Sequence, residues 1–197
     1  MIGFAIGNGL SRLGFDLERL KGKGVTVGCN WLYKDFDADY IVFLDHHMIT
    51  HMANLEDKNF KPLTRWRDDE TKEMWLSCEG EKVRPLVQIN QGRNNNSGIM
   101  ATCFLSEVLQ LDEVYLIGMD FFLDVYNEDK TEIVQNDVYL GKFRRSEGYH
   151  RVWNNIATNN PQTKFYRVGP IADADRDFYT NYLSGYKLIE SFEDMPI

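Results

Sequence analysis

The sequence predicts an α/β protein with a doubly wound, mainly parallel sheet. Short apolar runs alternate with segments of helical or loop character along the chain. Most of these runs stop at Gly, Asn or Asp, residues typical of a turn that follows a buried strand. With 197 residues, the chain has the length of one domain, so we predict a single domain over residues 1–197.

Six apolar runs are predicted to be strands. They cover residues 2–6, 25–29, 40–44, 84–90, 114–117 and 164–168. Each has the length and the apolar or β-branched content of a buried strand. The charged residues 58–81 have no clear pattern, and we assign them no element.

Four segments are predicted to be helices. Residues 16–21 favour a short helix that Gly22 ends, and residues 46–55 carry apolar side chains at helical spacing. Residues 99–111 favour a longer helix with Ser97 as its N-cap, and residues 147–159 favour the last one. The polar segment at about 122–146 is predicted to be a lid.

Composition excludes several classes of protein. A net charge of −8 argues against a general nucleic-acid binder, which needs a basic surface. No apolar stretch approaches the roughly 20 residues of a membrane span, and no signal peptide is recognised, so we expect a cytoplasmic protein. The odd cysteine count and wide spacing favour buried free thiols at Cys29, Cys78 and Cys103.

The segment Gly7-Asn8-Gly9 directly follows the first predicted strand. Glycine lets the backbone approach a phosphate closely, and backbone N–H groups at a helix start favour an anion. Arg12 stands where a dinucleotide fingerprint would have its third glycine, so NAD is not favoured. We predict a nucleotide contact at this turn; an ordinary tight turn is the alternative.

Other polar residues follow later strands. In parallel α/β sheets, ligands lie outside the carboxyl ends of the strands. The residues expected there, besides the glycine turn, are Asn30, Asp45, Ser97, Gly98 and Asp120. Ser97 and Gly98 stand at a predicted helix start, where a hydroxyl and backbone donors suit an anion as well as an ordinary cap.

The segment Asp45-His46-His47, together with His51, has the residue types of a metal cluster. His47 and His51 are four residues apart and would share a helix face. No glutamate stands in the metalloprotease placement. We therefore predict no metal at this cluster and regard Asp45 as a pocket residue.

His150 stands at the start of the last predicted helix. Histidine titrates near neutrality and is the commonest general base, although a surface histidine fits the same position. Tyr126 and Tyr139 lie in the predicted lid, where their phenols either hydrogen-bond a phosphate or pack the lid.

Four segments in order resemble the bacterial lipooligosaccharide sialyltransferase family. They are Gly7-Asn8-Gly9-Leu10-Ser11, Cys29-Asn30, Asn96-Ser97-Gly98 and residues 113–121. The motility-associated factor proteins and the archaeal 6-hydroxymethylpterin diphosphokinase-like group are related to that family. The resemblance extends over about residues 2–168.

The resemblance implies a Rossmann-like domain with a lid, a CMP-activated sugar donor, and inverting transfer without a metal. Asn8 and Gly9 would line the phosphate site, Asn30 would bind the donor, and Ser97 with Gly98 would hold the sugar carboxylate or the cytidine. His150 would deprotonate the acceptor hydroxyl. Tyr126 and Tyr139 would stabilise the departing phosphate. The partners implied are a nucleotide-activated sugar and an acceptor glycan or small molecule, and self-association is expected.

Two alternatives remain open. The strand that ends at Asp45 also matches the strand that carries magnesium-binding acids in the pterin kinase group, which favours a transferase using ATP and Mg²⁺. A non-catalytic nucleotide-binding module would need the glycine turn alone, since one fold serves many functions.

Overall fold

A computed structural model describes residues 1–67, 69–70, 74–85, 96–120, 149–171, 176, 180 and 183–197. These residues form an α/β fold with a nine-stranded, mostly parallel sheet. The strands are β1 (Ile2–Ile6), β2 (Val25–Cys29), β3 (Tyr40–Phe43), β4 (Lys61–Arg67), β5 (Met74–Cys78), β6 (Glu81–Pro85), β7 (Glu113–Ile117), β8 (Lys164–Val168) and β9 (Tyr186–Ile189). The α/β class predicted from the sequence is confirmed.

Three α-helices lie in the described part of the chain: α1 (His46–Ala53), α2 (Ser97–Cys103) and α3 (Tyr149–Asn159). A π-helical turn, Phe104–Val108, continues α2, and the N–H of Leu109 donates to the carbonyl of Phe104 at 2.9 Å. Single 3₁₀ turns cover Leu10–Arg12, Leu17–Leu20, Asn30–Lys34 and Phe192–Asp194. The predicted helix at residues 16–21 is therefore a 3₁₀ turn, which Asp16 caps.

The strand order is β6-β5-β4-β3-β2-β1-β7-β8-β9. Strands β1 to β4 are parallel neighbours that run outward in one direction, and β7, β8 and β9 run outward in the other. The order reverses between β1 and β7, which pair in parallel from Ile2 and Glu113 to Ile6 and Ile117. In parallel α/β sheets, ligands commonly lie at such a reversal, outside the carboxyl ends of the strands.

Three strands lie outside the apolar runs that the sequence predicts to be strands. Strands β4 and β5 lie in the unassigned residues 58–81, and β9 lies near the end of the chain. Strand β6 occupies residues 81–85, whereas the prediction was 84–90, of which residues 86–90 lie outside the described part. Strands β4, β5 and β6 form an antiparallel extension in which Trp66 pairs with Trp75. Because an extension at the edge of a sheet is only half buried, its strands carry many polar residues. They therefore lack the apolar run that predicts a buried strand.

Both faces of the sheet bury apolar side chains, as period-two alternation requires. On one face Ala5, Val27 and Val42 pack under α2 and α3. On the other face Phe4, Ile6 and Phe43 pack under α1 and the 3₁₀ turns. No helix in the described residues is long and apolar enough to cross a bilayer.

Candidate functional site

The predicted glycine turn lies at the carboxyl edge of the sheet, the edge at which the parallel strands end. We call residues 7–11 the glycine loop. The N–H of Gly7 donates to the carbonyl of Ile117 at 2.8 Å, and the N–H of Gly9 donates to the carbonyl of Gly118 at 2.9 Å. A Cβ on Gly7 would lie 2.3 Å from the carbonyl oxygen of Gly118. Gly7 and Gly9 therefore let two backbone segments of the chain approach each other closely. The N–H groups of these glycines are already hydrogen-bonded within the chain.

Asn8 is one of two loop residues with an open hydrogen-bonding position; the other is Ser11, whose Oγ is also buried without a partner among the described residues. The Nδ2 of Asn8 donates to the carbonyl of Cys29 at 2.8 Å, which fixes the side chain against the end of β2. Its Oδ1 is buried and has no partner among the described residues. Because a buried polar atom normally has a partner, Asn8 offers one acceptor to a bound group.

Asn30 and Ser97 are 67 residues apart in sequence and meet at this edge. Asn30 directly follows β2 with φ of 48°, in the left-handed region that asparagine tolerates better than most residues. It is 1% exposed, and the hydroxyl of Ser97 donates to its Oδ1 at 3.2 Å. The two predicted site residues thus form one polar contact between β2 and α2.

The N-cap of α2 differs from the prediction. Asn96 is the N-cap, and its Oδ1 accepts from the N–H of Ile99 at 2.8 Å. Ser97 is the first helical residue, so its hydroxyl is free of the cap and reaches Asn30 instead. Gly98 follows it and packs against Met119.

Asp120 lies in a buried ion pair with Arg167. Its Oδ1 accepts from Arg167 at 2.9 Å, and its Oδ2 accepts from the N–H of Ser11 at 2.9 Å. The side chains of Arg167 and Asp120 are 1% and 2% exposed. Both oxygens of Asp120 bond within the chain, so it holds the glycine loop against β8. Its predicted role in substrate binding stays a prediction. An arginine at an apolar strand position was the available signal, since such a residue is buried only with a partner.

Arg12 forms a second ion pair near the glycine loop. Its guanidinium donates to Asp35 at 2.6 Å, and the arginine side chain is almost fully buried. The Nε of Arg12 is buried without a partner among the described residues. Burial raises the pKa of the nearby Cys29 thiol to about 12, and the charge of Arg12 opposes that rise. Arg12, which stands in place of the third glycine of the dinucleotide fingerprint, is therefore a buried cation with a structural role near the loop.

The histidine cluster is dispersed. Asp45 is the N-cap of α1 without a side-chain cap bond, and His46 and His47 are exposed. His51 instead contacts the hydroxyl of Tyr33, with 2.6 Å between that oxygen and Nε2. Within the described ranges, no group of three or more His, Cys, Asp or Glu side chains is arranged to hold a metal ion.

The three predicted catalytic residues are only partly located. His150 is the second residue of α3, and its side chain lies outside the described part. Tyr126, Tyr139 and the predicted lid at 122–146 also lie outside the described residues. Their proposed roles therefore stay predictions.

The three cysteines differ in burial. Cys29 and Cys103 are buried, as predicted, and form no disulfide, whereas Cys78 is only half buried. A groove of about 690 Å³ lies at the opposite, amino edge of the sheet, between Asp39 and Lys61. Asp39 bonds Thr26, and Lys61 pairs with Glu79 at 3.4 Å, so the charges of this groove are largely satisfied within the chain. We regard the carboxyl edge, which has open polar atoms, as the candidate site.

Comparison of the chain with protein-family models, with curated proteins and with solved structures gave no match.

Proposed function

We propose that this chain is a sialyltransferase-like glycosyltransferase that transfers a sugar from a CMP-activated donor to an acceptor hydroxyl. The observation that carries the proposal is the convergence of Asn8, Asn30 and Ser97 where the strand order reverses. We also propose that the fold is Rossmann-like and doubly wound, which the reversal and the helices on both faces support. The resemblance of the four sequence segments supports the choice of CMP.

In this proposal, polar groups at the carboxyl edge bind the nucleotide, and one histidine of the chain moves the proton. The open Oδ1 of Asn8 accepts from the nucleotide, while Asn30 and Ser97 hold the donor at the end of β2. His150 removes the proton of the acceptor hydroxyl. Tyr126 and Tyr139 donate hydrogen bonds to the departing phosphate. Preorganised donors of this kind stabilise the charge of the leaving group, so no metal is required.

The two competing functions require different residues of the chain. A diphosphokinase-like transferase would bind ATP with Mg²⁺ and needs further carboxylates beside Asp45. A non-catalytic module would bind a nucleotide at the glycine loop and transfer nothing. No contact of the described residues favours either of these over the glycosyltransferase.

A thermal-shift screen against CMP, CDP, UDP, GDP, ATP with Mg²⁺, and NAD tests the proposal. A ligand at about 100 times its dissociation constant stabilises the fold by about 2.7 kcal/mol. We expect CMP to raise the Tm and Asn8→Ala to abolish that shift. Asn59→Ala, an exposed amide at the amino edge, is the matched control. A shift with ATP and Mg²⁺ alone would move the assignment to the diphosphokinase.

A second arm separates binding from transfer. We expect His150→Ala to abolish sugar transfer from a CMP-sugar while the CMP shift persists, because a general base is not needed for nucleotide binding. Loss of the CMP shift in this variant would contradict the role of a general base.

A further inference from the structure

Strand β4 extends beyond its parallel neighbour β3 at the carboxyl edge of the sheet. The pairing of β3 with β4 ends at Phe43 and Thr64, and β4 continues through residues 65–67. In the described part of the chain, these three residues pair with β5 alone, in antiparallel register with residues 74–76. A strand rises about 3.3 Å per residue, so this ribbon projects about 10 Å past the last pair of β3. We call residues 65–67 and 74–76 the projecting ribbon.

The projecting ribbon carries two arginines on one of its faces. Alternation along β4 places Arg65 and Arg67 on the face of Leu63, which belongs to the apolar cluster under α2 and α3. Both arginine side chains are exposed. Neither of them forms an ion pair or a side-chain hydrogen bond with any residue that the structure describes. The face that begins beneath α2 therefore ends in two open guanidinium groups.

The opposite face of the ribbon is packed, which holds its two strands together. Trp66 pairs with Trp75 across the strands, and the ammonium of Lys82 lies 3.9 Å and 5.5 Å from their ring centroids. Cross-strand aromatic contacts and a cation over the rings stabilise such a pair of strands. The two arginines are therefore mounted on an ordered element of the sheet.

The buried arginines near the glycine loop already have partners. Arg12 is paired with Asp35, and Arg167 is paired with Asp120. Their charges are thus neutralised within the chain. A second negative group on a ligand at this edge would find its counter-charge at the projecting ribbon.

The order of the strands places the ribbon at one end of the candidate site. Asn8 follows β1, Asn30 follows β2, and the ribbon extends β4, two strands farther along the sheet. Neighbouring strands are about 4.8 Å apart, so the ribbon lies about 10 Å from the strand that ends at Asn30. Asp45, which follows the intervening β3, leads into α1 on the other face of the sheet. With the nucleotide at Asn8 and the donor sugar at Asn30, the next position in this direction belongs to the acceptor.

We propose that Arg65 and Arg67 bind an anionic group of the acceptor, so that the acceptor is an acidic sugar that carries a carboxylate or a phosphate. This inference rests on the proposed glycosyltransferase function and names the class of its second substrate. The guanidinium group suits both anions, because it donates two parallel hydrogen bonds to either one. Since both arginines are exposed, added salt weakens this binding.

Isothermal titration with and without saturating CMP tests the site. The probes are galactose, galacturonate, and galactose phosphorylated at its primary hydroxyl, together with the same three forms of glucose. With CMP bound, we expect an acidic form to bind about tenfold more tightly than its neutral parent, as one charge-assisted hydrogen bond contributes. The tighter of the two acidic forms identifies the anion as carboxylate or phosphate. Equal affinities for acidic and neutral forms in both series would overturn the proposal.

Variants assign the preference to the ribbon. We expect Arg65→Gln and Arg67→Gln each to lose most of the preference for the acidic form and to keep the affinity for CMP, while Arg65→Lys retains part of the preference. Lys23→Gln is the matched control, because Lys23 is an exposed cation that precedes β2 at the amino edge. A preference that persists in both glutamine variants would also overturn the proposal.

The outcomes separate this inference from the proposed function. If CMP raises the Tm but acidic sugars bind no better than neutral ones, the acidic acceptor is refuted and the glycosyltransferase survives. If acidic sugars bind through Arg65 and Arg67 while CMP does not bind, the anion site stands and its role in sugar transfer is refuted.

Discussion

At the scale of single residues, the carboxyl edge is organised by buried charges that hold loops in place. Asp120 connects three segments, because Arg167 comes from β8 and Ser11 from the glycine loop. Arg167 also donates to the carbonyls of Val168 and Pro170, so its guanidinium ties the turn after β8 to the same point. A residue predicted to touch substrate is thus the anchor of the loop that would touch it.

Asp120→Ala is expected to destabilise the protein strongly. It leaves Arg167 buried without its carboxylate, and removal of one partner from a buried pair costs about 3–5 kcal/mol. Urea unfolding monitored by circular dichroism measures the change. Glu18→Gln is the control, because Glu18 pairs with Lys21 on the surface and the loss of such a pair has little effect. Similar midpoints for the two variants would contradict a structural role for Asp120.

At the scale of elements, α2 is unusual because every one of its seven residues is buried. Two hydroxyl groups bond back to the helical backbone, since Thr102 donates to the carbonyl of Gly98 at 2.8 Å and Ser106, in the π-helical turn that follows, donates to that of Thr102 at 2.9 Å. Small side chains let the helix lie close to β1, β2 and β3. The position of Ser97 beside Asn30 therefore depends on how deeply α2 is packed.

The N-cap of α2 offers a test at this scale. Asn96→Ala removes the acceptor for the N–H of Ile99 and should lower the free energy of unfolding by about 1 kcal/mol. Asp45→Ala is the matched control, because Asp45 is also an N-cap residue but makes no side-chain cap bond. We expect a smaller loss there by chemical denaturation. An unchanged free energy of unfolding in Asn96→Ala would mean that the cap of α2 is not a stabilising contact.

The extension formed by β4, β5 and β6 shows why some elements escaped prediction. Trp66 is 39% exposed, and the ammonium of Lys82 lies 3.9 Å from its ring centroid. Aromatic and charged side chains share one half-covered surface here, so the strands lack the apolar run that marks β1 or β7. Their pairing is fixed by the neighbouring strands and not by a local pattern.

At the scale of the whole molecule, both faces of the sheet bury groups that titrate only at high pH. Burial raises the pKa of the Cys29 thiol from 9.0 to about 12. Burial, followed by the hydrogen bond to Glu113, also raises the pKa of the Tyr115 phenol. In this range the unfolded chain releases protons that the folded chain keeps, so stability falls as the pH rises above 9.

The contribution of Cys29 can be isolated by substitution. From pH 8 to pH 10.5 the unfolded thiol ionises and the folded thiol does not, which costs the folded state about 2 kcal/mol. Cys29→Ala should therefore lose roughly 4–8 °C less in Tm than the unaltered protein over that interval. Scanning calorimetry at both pH values measures the difference. Equal losses would show that the Cys29 thiol ionises in the folded state.

The local sequence determined those elements that a pattern of a few consecutive residues is enough to indicate. Apolar runs bounded by Gly, Asn or Asp fixed β1, β2, β3, β7 and β8, because burial on both faces demands such runs. It also indicated that Asn8, Asn30 and Ser97 belong at strand ends. These predictions needed only the rule that parallel strands end at one edge.

The tertiary structure alone decided what each of those residues does. Whether Gly7 faces a ligand or Gly118, and whether Asp120 is open or held by Arg167, depends on contacts between segments about 50 to 110 residues apart. Such pairings arise from the three-dimensional arrangement of the strands, and no local pattern in the chain encodes them.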